Sequence, residues 1–375
     1  MTAGAQRRLT ARPVHGDEAT SLVARFEHAD PTADLSTSTA WNVAAGAVRG
    51  ESAVQRFALI DGDRQIVGLV ALERRVAGWR SGSPGAALWT WPMAELGYEF
   101  RPRWRPECAA IVREHWQEAV ADALAGERLE LPRTAAAACP AEPSGLAATP
   151  GPAVWTAPAA ASADAWLHSL QSRHRRDLGY YRRRIDRGGG VWRQFETEPT
   201  ADLDAALAIS FQLHGERIAT KGQRSAYLQP PHRAFLQRLA HELRETALRL
   251  TILSIDGAPA GSCLSFCYAG RYQAYMPGWS PAHHKLDLGR QIIAHQIQHD
   301  LDSGIHEISL LGGDLAYKRE LGLEARATQD LVRVPSRPAE LRQWLAPGVL
   351  RAYRGARAVV RTPLRQPAPP EAARR

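Results

Sequence analysis

Between Leu248 and Lys318 the chain alternates short apolar runs with turn residues: LRLTILSI, DGAPAG, SCLSFCY, AGR and YQAYMPGWS follow one another. Runs of this length, rich in β-formers and divided by Gly, Asp and Pro, predict three antiparallel strands in a meander. The period then changes. Behind the loop HHKLDLG, Leu288, Ile292, Ile293, Ile297 and Leu301 recur at helical spacing, with Asp287 placed as an N-cap and Gly304 where a left-handed C-terminal cap would fall. Residues 305–311 read as a further buried strand, and GGD as a turn into a last helix around Tyr317.

Upstream the same pattern is fainter. Residues 57–60 and 65–74 predict a hairpin around Asp61, Gly62 and Asp63, with IVGLVAL as a buried central strand. An amphipathic helix over 106–125 and a parallel strand over 126–132 follow. Residues 1–50 read as irregular apart from a short helix at 19–27, and the Ala- and Pro-rich stretch 134–161 as an inter-domain connection. One helix is predicted over 162–187, with Trp166, Leu170, Tyr181 and Ile185 inward and Gly188, Gly189 and Gly190 ending it. Residues 191–197 read as a strand, 201–214 as a helix, and 328–334 as a strand closing the second domain.

A chain of 375 residues exceeds what one core usually serves. The division expected is 1–155 for one domain, 156–340 for a second, and a basic, disordered tail over 341–375. No apolar run of about 18 residues occurs, so no transmembrane segment is expected. The first arginines are not followed by an apolar segment, and the four cysteines form no CxxC pair, which together suggest a cytoplasmic protein. A net charge of +8 points to an anionic partner without choosing among nucleotide phosphates, anionic lipid and RNA. His295 and His299 are spaced like a zinc pair, yet no acid lies between them and no third ligand follows, so no metal is expected.

Four stretches carry a resemblance: HGERIATKGQRSAY (214–227), LRLTILSIDGAPAG (248–261), YMPGWSP (275–281) and GGDLAYKRELG (312–322). Together they resemble the landmarks of the CelD-like acetyltransferase family, a branch of the GNAT superfamily, over roughly residues 160–335. That family is similar to the Fem-type aminoacyl transferases in carrying two GNAT-like domains in tandem. The resemblance implies an α/β fold of two domains, each a mixed, largely antiparallel sheet flanked by helices, the first domain degenerate and the second catalytic. It implies transfer of an acyl group, acetyl above all, from acyl-CoA to the amine of an acceptor such as a sugar or an envelope or exopolysaccharide precursor. The Fem-type likeness leaves aminoacyl-tRNA as an alternative donor. A non-catalytic binding protein of the same fold is a third reading.

Such an enzyme must hold a thioester donor, present an uncharged amine and stabilise the oxyanion and the leaving thiolate. Lys285, Leu288, Gly289 and Arg290, at the start of the amphipathic helix, are the candidate pyrophosphate binders, because free N–H groups and the helix dipole favour an anion there. Asp287 in the same loop opposes an anion, and an ordinary capped helix start explains the residues equally well. The resemblance assigns Tyr317 to protonation of the departing thiolate and Lys318 to an anionic substrate. Asp314 reads either as general base or as N-cap of the last helix. His214 reads as general base, since its ordinary pKa lies near neutrality, or as a cap on helix carbonyls. Arg217 and Lys221 are candidate binders of an anionic acceptor. The arginines between Arg173 and Arg187 could serve RNA, but the tyrosines among them sit at core spacing, so nucleic acid is not the expected partner except as tRNA under the Fem-type alternative. The sequence leaves the oligomeric state open.

Overall fold

The computed structural model describes residues 9–29, 34–76, 87–124, 127–139, 146–195 and 202–333. The predicted tail, 341–375, lies outside them. Strands β1 (Thr10–Val14), β2 (Val54–Ile60), β3 (Ile66–Val76), β4 (Ala87–Thr90), β5 (Arg103–Trp104), β6 (Arg128–Ala135) and β7 (Ala147–Pro150) come from the first part of the chain. They are followed by β8 (Val154–Pro158), β9 (Val191–Gln194), β10 (Leu248–Ile255), β11 (Ala258–Tyr268), β12 (Arg271–Trp279), β13 (Glu307–Gly312), β14 (Glu324–Arg326) and β15 (Thr328–Arg333). Two mixed sheets result. The first runs β1-β2-β3-β4-β6-β15-β7 with β5 beside β3, and the second runs β14-β8-β13-β12-β11-β10-β9.

The second sheet is built as the sequence pattern predicts. β10, β11 and β12 pair antiparallel through tight turns, with Asp256 and Gly257 at one and Ala269 and Gly270 at the other, all four at positive φ. Helix α8 (Leu288–Leu301) then crosses over, and β13 returns parallel to β12. The five apolar residues of the predicted α8 stripe are all buried, and Gly304 takes φ +79 just beyond the helix. Helices α4 (Ala163–Ser169), α5 (Ser172–Arg187) and α8 share a core with one face of the sheet. Helices α6 (Leu203–Ala219) and α7 (Pro230–Glu242) cover the other face, in a core continuous with that of the first sheet.

Four expectations are corrected. Residues 1–50 hold β1 and two helices, α1 (Gly16–Ala29) and α2 (Thr39–Arg49), where only one short helix was expected. The stretch 134–161 is no bare linker, because β7 and β8 lie in it. The predicted helix 162–187 is broken at Leu170 and Gln171, both extended, since Leu170 drops into the core between α4 and α5. Finally, 328–333 does not close the second sheet. It lies in the first, between β6 and β7.

That last correction reflects a crossing ribbon. β7 and β8 follow each other closely, as do β14 and β15; β15 pairs with β7 in one sheet and β14 with β8 in the other. The two connections touch where the Gly151 N–H donates to the Thr328 carbonyl at 2.9 Å and the Thr328 hydroxyl to the Pro152 carbonyl at 2.8 Å. Charge ties the sheets together a second time. Arg271 of β12, almost fully buried, pairs with Asp34 at 2.7 Å, with Glu307 at 2.8 Å and with Glu99, which Arg326 also reaches. Of these acids Asp34 and Glu99 come from the first part of the chain, so the cluster joins the halves. Charges buried this deeply are costly when left unpaired, and here each has its partner.

Candidate active site

The second sheet parts at one place. β12 and β13 pair only at 271–273 with 307–309. Just beyond, the register of β11 and β12 shifts, Leu264 facing Met276 and Ser265 facing Ala274, so Tyr275 is an extra residue on β12. A bulge of this kind bends and twists its strand, and β12 leaves β13 behind. Helix α6 fills the back of the gap: a Cβ at Gly278 would collide with the backbone of Leu213 and His214, so only glycine allows the helix so near the strand. In front of it lies a cleft of about 300 Å³, lined by Arg217, Lys221, Trp279, Leu288, Gly289 and Tyr317 among others.

Six of the ten predicted site residues thus meet in one cavity: Arg217, Lys221, Leu288, Gly289, Arg290 and Tyr317. Arg217 stands out electrostatically. It is 9% exposed, its guanidinium lies 4.6 Å from the Trp279 ring, and it makes one long hydrogen bond, 3.5 Å, to the Pro277 carbonyl. Its Nε has no hydrogen-bond partner and, among the described residues, no carboxylate pairs with it. Burial lowers its pKa. A buried cation without an acid is costly unless an anion arrives. Lys221, also lowered by burial, stands at the same wall. Across the cleft, the N–H groups of Leu288 and Gly289 open α8 with no partner among the described residues, whereas those of Arg290 and Gln291 both reach the Asp287 carbonyl at 3.1 Å.

The α8 entrance departs from expectation in four respects. Asp287 occupies the N-cap position at φ +52, but its side chain caps nothing. It bonds Arg290 Nε at 2.6 Å, and Arg290 also bonds Glu320 at 2.7 Å, so that arginine is already neutralised. Burial raises the Asp287 pKa even beside Arg290. A Cβ on Gly289 would sit 2.5 Å from the Trp279 ring, so the glycine is needed for the indole as well as for any ligand. Lys285 is exposed and does not line the cleft; its carbonyl accepts from Arg184 at 3.2 Å.

Tyr317 projects from α9 (Ala316–Glu320) into the cavity, its phenol pushed up to about 12, chiefly by burial. Three other candidates stand apart. The His214 ring donates from Nδ1 to the Pro277 carbonyl at 2.9 Å and accepts at Nε2 from Ser225 at 2.8 Å. Burial, outweighing that carbonyl, pulls it down to about 4. It is a neutral strut between α6, β12 and the 225 loop, with no nitrogen left for a substrate. Asp314 is exposed, pairs with Arg319 at 2.6 Å, and neither lines the cleft nor caps α9, whose N-cap position is Leu315. Lys318 points inward and is almost fully buried, its ammonium on main-chain carbonyls instead of an anionic substrate.

Sequence reasoning gave no role to Trp279, His283 and His284, which line the cleft. Trp279 lay inside the YMPGWSP landmark, and its stacking on Arg217 was the missing signal. The His295 ring lies 4.2 Å from that of Trp192 and contacts Arg182 at 3.1 Å. Among the described residues no cluster of His, Cys, Asp and Glu could hold a metal, and no helix is long and apolar enough to cross a membrane. The corresponding parting of the first sheet, where β4 and β6 pair at only two positions, is packed with buried Trp91, Met93, Leu96, Phe100 and Trp116. Trp91 and Phe100 stack at 5.5 Å there.

The strand order of the second sheet, parted at this cleft, is that of a GNAT-like fold. Residues 172–319 match the family model described as the acetyltransferase (GNAT) domain. Solved structures extend the likeness of fold to nearly the whole chain. FemX is similar at 10% identity and a TM-score of 0.61, over 85% of this chain and 96% of that one. The C-terminal domain assigned to a lysylphosphatidylglycerol synthetase of Agrobacterium fabrum is similar at 12% identity and 0.53, over 93% of this chain and 99% of that one. The L-PGS of Bacillus licheniformis is similar at 11% identity and 0.52, over 89% of this chain and 96% of that one. No curated protein matches by sequence. The chain therefore carries two mixed, largely antiparallel sheets flanked by helices, and the second holds most of the stretch that matches the GNAT domain.

Proposed function

We propose that the chain is an N-acyltransferase that moves an acyl group, acetyl in the first instance, from acyl-CoA to an amine acceptor such as an amino sugar of an envelope or exopolysaccharide precursor. The observation that carries this reading is the cleft itself: one opening in the sheet receives a protonated phenol, a buried unpaired guanidinium and two free helix amides. The amides of Leu288 and Gly289 and the charges of Arg217 and Lys221 suit phosphate or carboxylate oxygens. Carboxylate or phosphate on the acceptor would satisfy Arg217; pyrophosphate on the donor would suit the α8 entrance.

In the reaction the uncharged amine attacks the thioester carbonyl, a C–N bond forms, and the C–S bond breaks with its electron pair on sulfur. A thiol has an ordinary pKa of about 8.5, well below the value of about 12 at Tyr317. Tyr317 therefore hydrogen-bonds the sulfur as charge develops, and the proton that ends on the thiol comes from the acceptor nitrogen. We assign its relay to His283 and His284, the imidazoles that line the cleft.

Tyr317→Phe tests this. We expect kcat for thiol release from acetyl-CoA to fall by about 10²-fold while the donor KM barely moves, because the lost hydrogen bond acts in the transition state. Unchanged turnover per folded molecule would make Tyr317 a packing residue. A second reading, transfer from aminoacyl-tRNA, is favoured by Asp287 and by the neutralised Arg290 at the α8 entrance. It is also favoured by Tyr180, which contrary to its core spacing is 51% exposed among the α5 arginines. Turnover of aminoacyl-tRNA but of no acyl-CoA would promote it, and binding of neither donor would leave the non-catalytic reading.

A further inference from the structure

Three features converge on the short turn that carries Tyr317 into the cleft. Leu311, near the end of β13, has φ +54, a left-handed conformation that a bulky residue adopts only when its surroundings enforce it. Lys318, 1% exposed, doubles back from α9 and donates to three successive carbonyls: Leu310 at 2.6 Å, Leu311 at 3.1 Å and Gly312 at 2.7 Å. Burial pulls Lys318 down to about 7, yet three carbonyl acceptors call for three N–H donors, which only its ammonium form supplies, so its whole hydrogen-bonding capacity goes to this turn. On the other side, the ring of Tyr98, from the first domain, lies so close to Gly312 that a Cβ there would collide with it.

Tyr98 is itself held firmly. The Arg133 guanidinium lies 4.8 Å from its ring centre, and Arg133 Nη1 is fixed by the carbonyls of Ala94, Glu95 and Gly97 at 3.1, 3.2 and 2.6 Å. The nearest acid to Lys318, Asp314, is exposed and engaged with Arg319. A methionine would fill the same space without burying a charge, so packing alone does not account for an ammonium. What the ammonium adds is a grip on carbonyls that the left-handed Leu311 turns together.

We infer that Lys318 and Tyr98 are positioning residues: they clasp the turn at residues 311–317 and so fix the Tyr317 phenol, which gives the first domain a part in the second domain's chemistry. The effect on turnover rests on Tyr317 acting at the leaving sulfur; the clasp itself can be read without any reaction. The experiment compares the full-length wild type with Lys318→Met, Lys318→Gln, Tyr98→Leu, Tyr98→Phe and Tyr317→Phe. Amide hydrogen exchange is followed by mass spectrometry, and thiol release from acetyl-CoA is measured with glucosamine 6-phosphate as acceptor. Lys318→Met and Tyr98→Leu should speed exchange at 311–317 by about tenfold or more, leaving β10 and β11 unchanged. In the same variants kcat should fall by about 10- to 100-fold with the donor KM held, as expected for a small misplacement of a reacting group. Lys318→Gln, which keeps two donors, should recover part of the loss, and Tyr98→Phe, which keeps the ring, should behave like wild type. Exchange at 311–317 unchanged in both Lys318→Met and Tyr98→Leu overturns the inference, and so does a uniform rise across both sheets. If Lys318→Met does not fold, Lys318→Gln and Tyr98→Leu carry the same comparison. A Tyr317→Phe enzyme as fast as wild type would count only against the role of Tyr317 at the leaving sulfur, and the exchange data would still decide the clasp.

Discussion

Tyr317 and Lys318 are neighbours in sequence with opposite environments, and helix geometry is the reason. Successive residues of a helix point about 100° apart, so the turn that aims the phenol at the cleft sends the ammonium into the fold. The family resemblance made both look like site residues. His214 misleads in the same way, since a ring with both nitrogens engaged is indistinguishable in sequence from a free base. Its low pKa makes a stability prediction. Folding favours the neutral ring, held near 4 against an ordinary value of about 6.5. Its contribution is therefore complete above pH 6.5 and lost as pH falls toward 4, by up to about 3 kcal/mol. His295, pulled to about 4 by burial and by Arg182, adds a loss in the same window. The urea midpoint should drop between pH 6.5 and pH 4.5, and His214→Gln should flatten part of that drop. A wild-type midpoint constant across the window would contradict both assignments.

Among the elements, those with a strong period were the legible ones. The β10–β12 meander and α8 were plain because turns and stripes repeat locally. The break between α4 and α5 was not, because it depends on Leu170 finding a core built by distant residues. The cleft was legible in part: its residues were named, but the bulge at Tyr275 that opens it has no local signature. Gly289 shows what that omission costs. Sequence reasoning would take Gly289→Ala as a test of backbone approach to phosphate, yet the nearest obstacle is the Trp279 ring. Gly289→Ala should weaken CoA binding, measured by thermal shift, by about tenfold, and Trp279→Leu in the same chain separates the causes. Recovery in the double variant assigns the loss to the indole. Persistence of the loss would assign it to the approach of a ligand to the α8 amides, against our expectation.

For the whole molecule, the halves are joined by the buried Arg271 cluster and by the crossing ribbon, neither of which sequence order suggested. Both depend on residues more than 170 positions apart, a separation at which local patterning carries no signal. Because β15 stands between β6 and β7, ending the chain at residue 326 should injure the first sheet although the deleted segment follows the second. Limited proteolysis of such a truncation should cut within 128–150 before it cuts within 248–279. Protection of 128–150 equal to that of the full chain would show that β15 is dispensable there.

The place of β15 also sets a timetable. A ribosome has delivered every other strand of the first sheet by residue 150, but the strand that stands between β6 and β7 is not made until residue 333. At about 5–20 residues per second that is a wait of about 10–40 s. The strands of the second sheet are made in that interval, the last of them ending at residue 326, so the earlier half waits through the synthesis of the later one with the edges of β6 and β7 open. Open strand edges invite pairing with other chains. The nascent protein is thus most exposed to chaperone capture, or to mispairing with a neighbour on the same message, through the half that was made first.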